Sequence, residues 1–194
     1  MKSRDTTMCV SENPIIFLDG QNIDLCPVRM LDLQKYIEWF NDRELNELLL
    51  MHRPYTVEQE KTTLERIVNT PIAEGLYLGI WLKDPRKLIG NCSLHAMDRQ
   101  NQSAEFGIAI GDKDYWSKGY GREVTKMMVD YGFRTLNLNR IQLYVWQDNE
   151  RAIKCYESCG FVKEGVLRQK RWIAGRWKNE VVMSVLRSEY DDYA

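Results

Sequence analysis

Apolar and polar positions along the chain change their spacing several times, and each change marks an element. Residues 15–17 and 23–27 are short apolar runs on either side of Asp19-Gly20 and read as the opening strands of a sheet. Leu31, Leu33, Tyr36, Ile37 and Phe40 recur at helical spacing and predict an amphipathic helix ending near Asn41-Asp42. Leu45, Leu48 and Leu49 continue that period in a second, short helix, which Pro54 breaks. Thr56 with Gln59 is a capping-box pair, so a third helix starts there, carries Leu64, Ile67 and Val68, and stops before Pro71.

From Leu76 the period shortens. Residues 76–82 and 88–96 read as strands joined by the hairpin loop 83–87, and residues 98–102 as a polar loop. Ala104-Glu-Phe-Gly-Ile-Ala-Ile110 reads as a buried strand. Val124, Met127, Met128, Tyr131 and Thr135 place a helix over residues 121–136. Residues 141–145 are again a strand, 149–159 a helix with Gly160 as its stop, and 162–172 with 177–186 a hairpin turning at Ala174-Gly175. The sum is one α/β (α+β) domain over residues 14–190 with a mixed, mostly antiparallel sheet, behind a loose tail at residues 1–13.

Composition removes several classes of function. The 194 residues suit one domain with a sizeable core. A formal charge of −1 provides no net positive field to recruit a polyanion, so a nucleic-acid partner is not expected. No apolar run approaches the ~18 residues of a membrane span. The polar first residues lack an apolar signal region, and a cytoplasmic protein is the expectation. Cys9, Cys26, Cys92, Cys155 and Cys159 form no C-x-x-C, and His52 and His95 stand far apart in sequence. Cys155 and Cys159 share a helix face, half a metal site at most, so the thiols read as reduced and no metal is expected.

The stretch that carries chemistry is Tyr115-Trp-Ser-Lys-Gly-Tyr-Gly121, between a predicted strand and a predicted helix. Free N–H groups in such a turn and the positive end of the helix dipole point at one spot and favour an anion. Gly119 and Gly121 let backbone approach a diphosphate, and Lys118 and Arg122 add positive charge. Taken alone, the unit is equally a structural connection. It is no dinucleotide fingerprint, because Val124 stands where the third glycine would be, and it is no Walker loop, because no G-K-S/T follows.

A more specific segment follows: Asn149-Glu-Arg-Ala-Ile-Lys-Cys-Tyr156-Glu-Ser-Cys-Gly160-Phe161. With the glycine turn it resembles the GNAT superfamily of acyl-CoA-dependent N-acetyltransferases, whose phosphate loop has the form Q/R-x-x-G-x-G/A. Trp116-Ser-Lys-Gly119-Tyr-Gly121 fits that form except that Trp116 takes the Gln/Arg position. The likeness spans roughly residues 22–187 and is nearest the branch of ribosomal-protein N-terminal and spermidine acetyltransferases. Asp130-Tyr-Gly-Phe133, Leu136-Asn-Leu138 and Gly160-Phe-Val162 contribute to the spermidine-enzyme likeness, and the N-terminal third is similar only in general terms.

The resemblance implies a splayed, mixed seven-stranded sheet with flanking helices and acetyl-CoA as acetyl donor. It implies that the backbone of Ile108, Ala109 and Ile110 holds the pantetheine arm as an added strand would. It assigns the diphosphate to backbone N–H groups of Trp116, Ser117, Lys118, Gly119, Tyr120, Gly121 and Arg122, and places Asn149 beside the cofactor arm. Tyr156 falls where the family has the general acid for the departing thiolate; from spacing alone it is a helix tyrosine packed on the sheet. Glu105 is the candidate base, directly or through a water, or a ligand for a cationic amine; its bland reading is a solvated strand-end glutamate. Acetyl transfer needs such groups, because an alkyl ammonium of pKa ~10 cannot attack a thioester until it loses a proton. No covalent enzyme intermediate is required.

Glu38, Asp42, Glu44 and Glu47 lie where the family builds its acceptor site, and also read as a solvated helix face. The expected acceptor is a primary amine: first a polyamine such as spermidine, then a protein N-terminus, an amino sugar or an antibiotic amine. The competing class is a non-catalytic CoA- or polyamine-binding sensor, against which Tyr156 speaks. Dimers and larger rings both occur in this branch, and no stretch selects a homo-oligomer.

Overall fold

The computed structural model describes residues 13–49, 54–173 and 175–190. An eight-stranded sheet runs in the order β1-β2-β3-β4-β5-β6-β8-β7. Its strands are β1 (Leu18–Asp19), β2 (Ile23–Pro27), β3 (Leu76–Leu82), β4 (Lys87–Asp98), β5 (Ser103–Ile110), β6 (Arg140–Trp146), β7 (Val162–Ile173) and β8 (Arg176–Leu186). The helices are α1 (Leu33–Phe40), α2 (Arg43–Leu48), α3 (Val57–Val68), α4 (Tyr120–Arg134), α5 (Glu150–Glu157) and α6 (Arg187–Tyr190). All neighbouring strands are antiparallel except β5 and β6.

The resemblance implies seven strands, and the sheet has eight. The additional one is the edge strand β1, where Leu18 stands opposite Leu25 and Asp19 opposite Asp24. It also corrects the strand expected at residues 15–17. Ile15 and Ile16 are 80% and 51% exposed, so the most apolar triplet of the segment makes no buried face, and the backbone ladder forms just after it. The expected tail at 1–13 and the turn at Ala174 fall almost wholly outside the described residues; Gly175 is left-handed, φ 79°.

Alternation along the strands gives each face of the sheet its own core. Ile23, Leu25, Leu78, Ile80, Leu94, Phe106, Ile141, Leu143 and Met183 are buried with Val124, Met128, Val129 and Phe133 of α4. The opposite face buries Cys26, Trp81 and Leu88 with Tyr36 and Trp39 of α1, Leu45 of α2 and Leu64 of α3. Full burial of each such side chain contributes about 1.5–3 kcal/mol, so α4 is held by packing more than by propensity.

Local chemistry fixes where the helices begin and end. The Thr56 hydroxyl accepts from Gln59 N and the Gln59 side chain accepts from Thr56 N, completing the predicted capping box. Glu123, in the first turn of α4, accepts from the backbone N (2.8 Å) and Nδ2 (2.9 Å) of Asn22, tying the helix start to the edge of β2. At the other end, Arg187 donates to the carbonyls of Phe133 and Leu138, satisfying orphan acceptors past the last turn.

Candidate active site

The site exists because β5 and β6 part. Their parallel pairing covers only Ser103 with Arg140, Ala104 with Ile141 and Glu105 with Gln142. Beyond Glu105, β5 continues against β4 alone, with Ile108 opposite Cys92, Ala109 opposite Asn91 and Ile110 opposite Gly90. Its other edge faces a cleft of about 820 Å³. Residues 106–110 therefore present a row of backbone donors and acceptors to that cleft, which is what an extended ligand arm needs.

The turn before α4 closes one end. Ser117 (φ 60°) and Gly119 (φ 89°) are both left-handed, which curls the successive N–H groups into a concave nest. Trp116 N donates to Lys113 O and Arg122 N to Gly119 O, whereas the N–H groups of Ser117 through Gly121 have no acceptor among the described residues. Of the N–H groups over residues 116–122 expected to face a diphosphate, those of 117–121 are the ones with no internal acceptor. A Cβ on Gly119 would meet nothing within 4 Å, so that glycine is needed for its φ alone. A Cβ on Gly121 would lie 3.9 Å from Cys155 Sγ, an ordinary contact, so the protein itself has room for one there. Gly121 lines the cleft, and what its missing Cβ spares is the ligand's space.

Trp116 explains its departure from the family pattern. Its indole Nε1 donates to Ile110 O at 2.7 Å, taking up one of the carbonyls expected to serve the cofactor arm, and pinning the turn to the end of β5. The guanidinium of Arg151 lies over the indole, 4.6 Å from its centre. Arg151 lines the cleft and was not among the sequence candidates, although its place on the Asn149 helix was a signal. Arg122 also lines the cleft; Lys118 does not, and its ammonium sits 5.0 Å from the Tyr115 ring centre.

Asn149 caps α5, its side-chain oxygen accepting from Ala152 N at 3.2 Å, and lines the cleft where β6 has swung away. Tyr156, on the same helix, packs its ring against Phe106 and Phe161 at 6.3 and 5.9 Å between centres. Its hydroxyl has no hydrogen bond to any described residue, and the residue lines the cleft. Burial, helped by the neighbouring Cys155 and Cys159, pushes the phenol well above its ordinary value, so it stays protonated.

The opposite face of the sheet supplies the other wall. Strand register puts His95 beside Glu105 and Ser93 beside Gly107. Glu105 Oε1 is 3.4 Å from His95 Nε2, and Ser93 Oγ is 3.1 Å from His95 Nδ1, a polar row running inward from the cleft. His95 is the second residue the sequence candidates missed; nothing in its local pattern separates it from an ordinary strand histidine. The N-terminal acids are placed elsewhere. Asp42 and Glu44 hold Lys113 at 2.8 and 3.0 Å, and Glu38 holds Lys35 at 2.8 Å, while α2 gives the cleft Leu45 and Leu48. Cys26, Cys92, Cys155 and Cys159 are free thiols, and the described residues contain no cluster of metal-ligating side chains.

A nest of free N–H groups, an unzipped strand edge and a protonated phenol thus lie on one face of the sheet, with a carboxylate on the other. The model of the acetyltransferase (GNAT) domain matches residues 22–162. This chain belongs to the GNAT acetyltransferase family. It is an acetyl-CoA-dependent N-acetyltransferase, and the free nest at residues 117–121 fits the diphosphate of that donor. An uncharacterised N-acetyltransferase of Bacillus licheniformis is 30% identical over 172 residues, 88% of this chain and 96% of that protein. The spermidine N(1)-acetyltransferase of Vibrio cholerae is 36% identical over 128 residues, 66% of this chain and 73% of that protein. A crystal structure of a spermidine N-acetyltransferase from Vibrio cholerae, in complex with CoA and spermine, superposes with a TM-score of 0.79 at 28% identity, covering 87% of this chain and 98% of that one. No helix among the described residues of the acetyltransferase is long and apolar enough to cross a membrane.

Proposed function

We propose that this acetyltransferase moves the acetyl group of acetyl-CoA directly to a primary amine of a polyamine such as spermidine, within a ternary complex on one domain spanning residues 14–190. The observation that carries the reading is the parting of β5 from β6, which opens the sheet to both faces at one point. The donor enters on the α4–α5 face, with its diphosphate on the 117–121 nest and its arm along residues 108–110, beside Asn149. The acceptor enters on the face that carries Glu105. The names of the Vibrio cholerae relatives favour a polyamine over other amines.

Glu105, aligned by His95, takes the ammonium proton directly or through a water. The free amine attacks the thioester carbonyl; a C–N bond forms, the C–S bond breaks, and the extra proton left on the new amide nitrogen passes to the departing sulfur, so CoA leaves as its thiol. A backbone N–H of the 108–110 segment faces the transient oxyanion. The Tyr156 hydroxyl meets the leaving thiolate. Because its pKa stands above a thiol's ~8.5, it serves first as a hydrogen-bond donor to the developing charge.

The test is release of the CoA thiol with spermidine, spermine, N-terminal peptides and amino sugars side by side. Turnover confined to polyamines is expected. Peptide-only turnover would move the protein to the N-terminal acetyltransferases, and binding of acetyl-CoA without turnover of any amine would make it a sensor.

A further inference from the structure

A second carboxylate reaches the cleft from beyond β6. Glu180 on β8 stands opposite Trp146, and the register that puts Glu105 beside Gln142 sets both acids on one face of the sheet. Glu180 is 2% exposed and yet lines the cleft. It accepts no hydrogen bond from any described residue. Its ion-pair partner, Arg171 Nε, is 3.6 Å from Oε1, beyond hydrogen-bond reach, and that Nε is buried without a hydrogen-bond acceptor. A mostly buried carboxylate that faces the cleft with one cation at 3.6 Å and no hydrogen-bond donor is a favourable place for an incoming ammonium, which would supply that donor. Tyr144, on the same face and also lining the cleft, offers aromatic surface to a cation and to methylenes, whereas the Trp146 ring already carries the Lys178 ammonium 5.7 Å from its centre.

Spacing says what kind of cation. Gln142 and Trp146, the β6 neighbours of the two acids, are ~13 Å apart along the strand at about 3.3 Å per residue. A single short amine cannot occupy both places, whereas an extended chain with a charge at each end can. We propose that Glu180 is the subsite for a second, distal ammonium of the acceptor, so that the cleft selects linear amines bearing two separated positive charges. This rests on the polyamine reading and assigns it a residue.

The experiment compares diaminooctane with octylamine, which differ in the distal ammonium, alongside spermidine and N-terminal peptides, in steady-state CoA release by the full chain. The wild type is expected to favour diaminooctane in kcat/KM. Glu180→Gln is expected to lower the diamine-to-monoamine ratio about 10- to 100-fold, through KM rather than kcat, as loss of a charged hydrogen bond does. Arg171→Gln removes the competing cation and is expected to lower the diamine KM. A merely structural role would move both variants in the same direction and would leave the ratio alone. If wild type and Glu180→Gln keep the same diamine preference, the subsite is wrong while the polyamine reading stands. If only peptides turn over, both are wrong. Should Glu180→Gln fail to fold by circular dichroism, Arg171→Gln decides, and an unchanged diamine KM overturns the proposal.

Discussion

Tyr156→Phe isolates the leaving-group step. The tyrosine ring is held by Phe106 and Phe161, contacts that phenylalanine keeps. The hydroxyl has no hydrogen bond to any described residue, so its removal orphans no partner, and a stability change within ~0.5 kcal/mol is expected. What is lost acts only when charge develops on sulfur. In a dry site, one donor aimed at developing charge is worth ~3–4 kcal/mol, which corresponds to a fall of 10²–10³ in kcat. Because burial holds the phenol above its ordinary value, the wild-type profile should show no descending limb from Tyr156 at neutral pH. The assay is kcat by CoA-thiol release, with the CoA dissociation constant by calorimetry and the Tm measured on the same preparations. Turnover within about threefold of wild type, or a fall matched by an equal loss of CoA affinity, would refute the role given to the hydroxyl.

The nest makes two separable demands. Gly121→Ala should fold normally, because its Cβ meets Cys155 Sγ at a comfortable 3.9 Å, yet lose CoA affinity by calorimetry; Gly119→Ala should also lose ~1–2 kcal/mol of stability in urea melts, from φ 89°. Glu105→Gln should lower kcat by about 10²–10⁴-fold, the range of a positioned general base, and His95→Phe, which frees the Glu105 side chain, should lower kcat with a smaller effect on the acceptor KM; an unchanged kcat for Glu105→Gln removes the base assignment. Glu60 on α3 is 1% exposed, its Oε2 has no hydrogen bond, and burial pushes its carboxyl up to about 7. Its folded form therefore favours the acid, so stability is full below about pH 4.5 and declines as pH rises through 7, by about 3 kcal/mol. Relative to Glu60→Gln, the wild-type Tm should fall by about 5–10 °C between pH 5 and pH 8, and parallel curves would contradict the burial argument.

Elements whose signal is local were legible in the sequence. The Thr56–Gln59 box, the helical spacing of α4 and the helix begun at Asn149 each depend on neighbours a turn away, and each appears within two residues of where the pattern placed it. Properties set by pairing were not. Residues 104–110 read as one buried strand, and no local feature says that pairing with β6 ends at Glu105. Ile15 and Ile16 looked more strand-like than Leu18-Asp19, but an edge strand is decided by which backbone meets β2. Glu180 is a single acid ahead of an apolar run, and it becomes a site residue only when β8 lies beside β6.

One short strand serves both halves of the reaction because its side chains alternate. Ala104 and Phe106 turn into the core under α4, and Phe106 there carries the ring of Tyr156. Glu105 and Gly107 turn the other way, toward His95 and Ser93. At Gly107 a Cβ would sit 3.1 Å from Ser93 Oγ and 3.5 Å from His95 Cε1, so any larger residue would push against the row that aligns Glu105. The alternation Ala-Glu-Phe-Gly thus sets the proposed hydrogen-bond donor for the thiolate on one side and the proposed base for the amine on the other, one strand thickness apart. A one-residue slip of β5 against β4 would exchange the two sets, burying Glu105 and exposing Phe106. The core therefore holds this register: the apolar burial of Ala104 and Phe106 is what keeps Glu105 on the opposite face, where the proposed acceptor would enter.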